Sequence, residues 1–194
     1  VADSGAECVL ADAQFAALLS HPSLAATRLR HVIVVGEGTQ PDLGLVNVTR
    51  WEDWVAAQAP ELEACDTHRD EMALWMYSSG STGRPKGVVH LHHDLPYTWE
   101  SYGQHVLKLR EDDVVFSPPK IFFAYGFGNS CTFPFAAGAT AVLHPGRPDA
   151  ESVYGVIERH RPTVLFGLPT LYNALIAHPG SESRDLRSLR LCLS

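Results

Sequence analysis

Cysteine is scarce in this chain of 194 residues: Cys8, Cys65, Cys131 and Cys192 stand far apart, with no CxxC pair and no Cys/His spacing of a zinc module. That excludes a disulfide framework and implies reduced thiols in a cytoplasmic protein. Basic runs are also missing. With 15 Lys+Arg against 22 Asp+Glu the formal net charge is −7, so an electrostatic footprint for nucleic acid is excluded. The first residues, Val1-Ala2-Asp3-Ser4, lack an initiator Met, a basic segment and an apolar segment, so no signal peptide is expected. Such a chain is expected to begin after processing or inside a longer polypeptide. Internal repeats and low-complexity tracts are absent, and 45% hydrophobic residues are ordinary for a folded domain rather than a disordered one.

Long uncharged runs are lacking too, with one exception. Residues 121–143 carry no Asp, Glu, Lys or Arg, which is length enough to span a bilayer. Gly126, Gly128, Asn129, Pro134 and Gly138 interrupt the run, however, and a lipid-exposed helix tolerates them poorly. A buried, Gly-broken segment lining a cavity is expected instead, with no membrane association.

What remains is an alternation of short β-rich runs with helical periodicity. Phe15, Leu18 and Leu19 predict a helix over residues 11–19, and His31-Val32-Ile33-Val34-Val35-Gly36 predicts a strand closed by a Gly turn. Thr49-Arg50-Trp51-Glu52 reads as a capping box before a short helix, and residues 61–71 as a polar linker. Strands are predicted near residues 72–77, 87–90, 113–116, 163–168 and 189–193. Helices are predicted over 95–107, 170–177 and from an Asp149 cap to about His160, ahead of Pro162. The pattern is that of an α/β protein with layered sheets flanked by helices. A strand at residues 189–193 would be an unprotected edge and an association hazard.

The densest chemical signal is Tyr77-Ser78-Ser79-Gly80-Ser81-Thr82-Gly83-Arg84-Pro85-Lys86-Gly87. Between two strands it forms a hairpin-like loop. Its small residues let backbone N–H groups converge on an anion, its Ser and Thr hydroxyls add donors, and Lys86 adds a positive charge. A Walker A loop is excluded, because Pro85 and Gly87 stand where that motif needs Gly and Ser or Thr. GxGxxG is absent, so a Rossmann dinucleotide site has no support.

Residues 78–87 resemble the phosphate-loop signature of the AMP-forming adenylate enzymes: acyl-CoA synthetases, peptide-synthetase adenylation domains and beetle luciferases. That resemblance implies ATP-dependent activation of a carboxylate, with Ser78, Ser79, Gly80, Ser81, Thr82, Gly83 and Lys86 binding ATP phosphates. It also implies ATP, Mg²⁺ and coenzyme A as cosubstrates.

A second segment, Lys120-Ile121-Phe122-Phe123-Ala124-Tyr125-Gly126-Phe127-Gly128-Asn129, holds four aromatics. Flat apolar walls with a Gly in them suit an aryl ring, although such density also suits a core. Together with residues 161–172 it is similar to the benzoate-CoA ligase branch, and the similarity places Phe123, Ala124, Tyr125 and Gly126 in a pocket for a small aromatic carboxylic acid. Phe127 stands where Leu is expected.

The resemblance implies that residues 1–69 end a first α/β subdomain and that residues 70–194 are a phosphate-loop and acyl-pocket subdomain cut short. No Lys follows Lys120, so the family's C-terminal catalytic Lys is not in the chain. The expectation is therefore an internal piece of an aryl carboxylate-CoA ligase, inactive alone, with no catalytic residue and no metal ligand of its own. His90, His92 and His93 fit no zinc spacing. Two readings stay open beside it: a fatty acyl or amino-acid activating relative, and a non-catalytic truncated relative.

Overall fold

The computed structural model describes residues 1–38, 43–44, 46–79, 83 and 85–194. Gly80, Ser81 and Thr82, and with them the centre of the expected phosphate loop, lie outside the described residues. The chain separates into two compact units, Val1–Thr67 and His68–Ser194.

In the first unit, β1 (Cys8–Asp12), β2 (His31–Val35) and β3 (Asn47–Arg50) form a parallel sheet with β2 in the centre. Val32 and Val34 pack with Leu29 as its core. The helix predicted over 11–19 shrinks to α1 (Ala16–Leu19), because Ala11 and Asp12 pair with Val34 and Val35 in the ladder. Thr49 likewise pairs with Ile33, so the expected capping box does not form and α2 (Trp51–Ala56) starts after an Arg50 with no side-chain cap. In both places sheet pairing overrides a local helix signal.

The second unit opens with an antiparallel hairpin of β4 (Met72–Ser79) and β5 (Pro85–Leu91). A bulge at Ala73 shifts the register, after which Leu74 faces His90, Met76 faces Val88 and Ser78 faces Lys86. Then α3 (Asp94–Thr98) runs into a π-helical turn over Trp99–Gln104, so the helix predicted over 95–107 ends early and leaves Val106 exposed.

The rest builds a parallel sheet, in the order β7-β6-β8-β9, from β6 (Val114–Phe116), β7 (Thr140–Val142), β8 (Val164–Phe166) and β9 (Leu191–Leu193). The chain between β6 and β7 forms α4 (Ala124–Phe127), a π-helical turn (Gly128–Thr132) and α5 (Phe133–Ala137). After β7, α6 (Ala150–His160) leads to β8, and α7 (Pro169–Ala177) lies between β8 and β9. Side chains alternate along β6 and β8. Phe116 and Leu165 pack with Val153, Ile157 and Leu175 of α6 and α7, while Val115, Val164 and Phe166 pack with Leu107 and Phe133 on the other face. A central strand covered on both faces has to be apolar throughout, and the short runs VVF and VLF are.

Helix α6 starts as predicted. Asp149 accepts the Ser152 N–H at 2.8 Å, and the Ser152 hydroxyl accepts the Asp149 N–H at 3.1 Å. The helix ends at Arg161, whose left-handed φ of 51° turns the chain before Pro162.

One buried polar network ties this sheet together. Arg190 Nε donates to Asp113 Oδ1 at 2.8 Å, and the Thr163 hydroxyl donates to the same oxygen at 2.7 Å. The Arg110 N–H donates to Asp113 Oδ2 at 2.9 Å. Burial by itself would raise the Asp113 carboxyl, but these donors outweigh it and hold the pKa down at about 2.

The uncharged run of residues 121–143 divides in two. Gly126, Asn129, Ser130, Phe133 and Pro134 are buried as expected, whereas Phe122 and Phe123 are 70% and 58% exposed. Among the described residues no helix is long and apolar enough to cross a membrane.

Candidate functional site

One face of the hairpin presents Leu74, Met76 and Ser78 from β4 with His90, Val88 and Lys86 from β5, because alternate residues share a face. Ser78 and Lys86 are therefore direct cross-strand neighbours at the end of the hairpin where β4 ends and β5 begins. Ladder pairing continues to Ser79 and Pro85, so these residues sit on strands rather than in the loop the sequence suggests. Gly83 has φ +78°, a left-handed conformation that glycine adopts without strain.

A cavity of about 450 Å³ adjoins this end, lined by Ser78, Ser79, Val88 and His90 of the hairpin and by Phe123 and Ala124. Two segments that the sequence keeps about forty residues apart thus meet around one space, a hydroxyl-bearing end beside an apolar wall. A smaller cavity of about 160 Å³ continues between Leu74, Asp94, Leu95, Phe127 and Phe133. Met76, His90 and Ala124 line both.

Tyr125 and Gly126 line neither of these cavities. The Tyr125 ring meets Phe166 edge-on at 6.2 Å, and its hydroxyl reaches toward the carbonyls of Gly167 and Leu193 at 3.4 and 3.5 Å. Burial raises its pKa, with the nearby Tyr102 adding to the effect. A Cβ on Gly126 would lie 2.0 Å from the Lys120 carbonyl oxygen, so the start of α4 needs glycine there. Lys120 is folded back, its Nζ donating to the carbonyls of His144 and Gly146, and burial lowers its pKa. These residues hold α4 in place behind the wall that Phe123 and Ala124 present.

The base of the hairpin carries a set of pairs that sequence reasoning missed. Asp94 Oδ2 accepts the Leu91 N–H at 3.0 Å and lies 3.3 Å from His90 Nδ1. His93 bridges Asp94 Oδ1 at 3.3 Å and Asp70 Oδ1 at 2.9 Å through its two ring nitrogens. The Leu91 N–H, followed by His90, holds the Asp94 carboxyl below its ordinary pKa. The spacing of His90 and Asp94, four residues apart across a strand end, was the available signal. Asp70 lies 23 residues from His93 and gave none. His92 is past the end of β5, so it does not share a strand face with His90. Among the described residues no group of three His, Cys, Asp or Glu stands together as a metal site.

A family profile described as AMP-binding enzyme matches residues 1–194. A 4-hydroxybenzoate–CoA/benzoate–CoA ligase of Rhodopseudomonas palustris is 42% identical over 193 residues, covering 99% of this chain and 34% of that protein. A benzoate–CoA ligase of Thauera aromatica is 43% identical over 166 residues, 86% of this chain and 30% of that protein. Among solved structures, an anthranilate CoA ligase in complex with anthranoyl-AMP aligns with a TM-score of 0.87 at 38% identity, over 98% of this chain and 36% of that one. A benzoate CoA ligase from Burkholderia xenovorans aligns with a TM-score of 0.75 at 37% identity, over 97% of this chain and 35% of that one. The chain thus spans about a third of the length of the relatives it matches.

Proposed function

The chain belongs to the family of AMP-binding enzymes, and on that premise we propose that it supplies the phosphate loop and the acid pocket of an aryl carboxylate–CoA ligase. The observation that carries this reading is the shared cavity, in which Ser78 and Ser79 meet the apolar wall of Phe123 and Ala124. The relatives named above as benzoate and hydroxybenzoate ligases support the choice of acid.

In this reading Ser78, Ser79, Gly80, Ser81, Thr82 and Gly83 offer hydroxyl and backbone donors to the phosphates of ATP, and Lys86 places its ammonium beside them. The acid lies with its ring against Phe123 and Ala124. Its carboxylate oxygen attacks the α-phosphorus, the bond to the bridging oxygen breaks, and pyrophosphate leaves with the electron pair. The donors and Lys86 stabilise the charge that builds on the phosphate oxygens. Coenzyme A then attacks the acyl carbon through its thiolate, forming the thioester and releasing AMP. Tyr125 and Gly126 serve the pocket from behind by fixing α4. Mg²⁺ enters with ATP as its counter-ion, and no step is assigned to a protein-bound metal. The same reading places the protein in the cytoplasm.

The test is AMP release by the whole polypeptide that carries this chain, given benzoate, ATP, Mg²⁺ and coenzyme A. Release that depends on both acid and thiol is expected. Release with fatty or amino acids and none with aryl acids would overturn the reading.

A further inference from the structure

The two cavities share Met76, His90 and Ala124. Beyond the hydroxyl-bearing end their polar lining is one ionisable pair and two threonines, Thr98 and Thr132, whose hydroxyls already donate to the carbonyls of Leu95 and Gly128. Leu74, Met76, Val88, Ala124 and Phe133 make the walls, and His90 with Asp94 interrupts them. His90 lines both spaces, while Asp94 lines the smaller one. On the hairpin face the Leu74–His90 rung lies four residues below the Ser78–Lys86 rung, about 13 Å at the usual strand rise. Met76 and Val88 fill the rung between as a flat apolar strip. Ala124, with only a methyl, lines both spaces.

The pair has a defined polarity. Asp94 is an acceptor already engaged by the Leu91 N–H and His93, so His90 meets it through Nδ1–H. A carboxylate on Nδ1 selects that tautomer and leaves Nε2 with a lone pair. Among the described residues no hydrogen bond reaches His90 Nε2. His90 lines both cavities, and an unpaired acceptor there favours a ligand that brings its own donor, because burying it unpaired costs free energy.

Resting on the ligase reading above, we propose that His90, oriented by Asp94, is a specificity-determining residue that accepts a hydrogen bond from a phenolic hydroxyl on the ring of the aryl acid. The carboxylate lies toward the Ser78–Lys86 end and the ring hydroxyl toward the base of the hairpin. Asp94 acts as a positioning residue that fixes the tautomer and does not touch the acid.

The experiment compares kcat/KM for AMP release with benzoate, 3-hydroxybenzoate, 4-hydroxybenzoate and 4-fluorobenzoate, using the whole polypeptide that carries this chain. His90→Leu is expected to lower the hydroxybenzoate-to-benzoate ratio for at least one isomer by about tenfold, the worth of one neutral hydrogen bond. His90→Gln, which keeps an acceptor, should restore part of that ratio, and Asp94→Asn should lower it by less than His90→Leu does. 4-Fluorobenzoate cannot donate and should track benzoate in every variant. If His90→Leu does not fold, a ratio at least threefold lower in His90→Gln than in the unmodified enzyme supports the assignment. Ratios within twofold of the unmodified enzyme for both isomers, or equal losses for benzoate and the hydroxybenzoates, would overturn it. An unmodified enzyme that releases AMP with no aryl acid would sink the ligase reading itself, and this inference with it.

Discussion

The two sheets of the second unit are made from similar residues and stand in opposite surroundings. In the parallel sheet Val115, Phe116, Val164 and Phe166 are no more than 1% exposed, and the one buried acid, Asp113, is fully engaged by Arg190, Thr163 and Arg110. In the hairpin Trp75, Val88 and Val89 remain 39%, 47% and 41% exposed, and polar pairs gather at its base. Burial at roughly 25 cal/mol per Å² makes the first sheet the source of stability. The hairpin is held by its ladder and by Asp94 and Asp70, and it presents hydroxyls and an ammonium outward. Chemistry and stability are thus carried by different strands, so a substitution should damage one without the other.

The largest effect falls in the sheet. Phe116→Ala empties a site packed by Val153, Ile157 and Leu175 and should cost about 3–5 kcal/mol in chemical denaturation of the chain. A loss below about 1 kcal/mol would mean that this sheet is not the core. Lys86→Ala is the converse. It should slow AMP formation by the whole polypeptide about a hundredfold, the usual loss for one donor to developing charge, and move stability by no more than about 0.5 kcal/mol. A destabilised but active variant would break the division.

Acid is the third probe. Asp113 titrates at about 2 in the folded chain and near 3.9 when unfolded, so between those values the unfolded chain binds more protons. Its contribution, on the order of 2 kcal/mol, is fully present above about pH 5 and is lost as pH falls through 2. Urea unfolding at pH 5.5 and pH 3 should therefore differ less for Asp113→Asn than for the unmodified chain. Equal pH dependence in both would show that the Asp113 network contributes nothing.

Much of this division was legible in the residues, for a physical reason. Strands β6 and β8 are buried on both faces and therefore read as unbroken apolar runs, and α6 carries its own start and stop in Asp149 and Pro162. The site was legible as composition: hydroxyls and glycines in one segment, aromatics in another. What composition cannot give is direction. Nothing local tells that Phe123 and Ala124 face the cavity while the Tyr125 ring turns to Phe166, because α4 is aimed by a Gly126 contact with the Lys120 carbonyl. Long-range partners are equally silent, as Arg190 lies 77 residues from Asp113. Strand β1 was misread because its ladder with β2 outweighs the helical spacing of Phe15, Leu18 and Leu19.

The smallest expected effect gives the sharpest form of the contrast, since one exchange can be made on both sheets. Valine and threonine have nearly the same shape and differ by a hydroxyl in place of a methyl. In Val89→Thr the site is 41% exposed, on the hairpin face opposite Met76 and Val88, so water can reach the new hydroxyl. Stability should change by no more than about 0.5 kcal/mol. In Val164→Thr the same hydroxyl enters a fully buried site packed by the apolar side chains of Leu107, Val115 and Phe133. That variant should lose about 1–3 kcal/mol, the cost of a buried polar group without a partner. Parallel urea titrations of the two variants read the difference directly. Equal losses would mean that the hairpin is as deeply part of the core as the sheet.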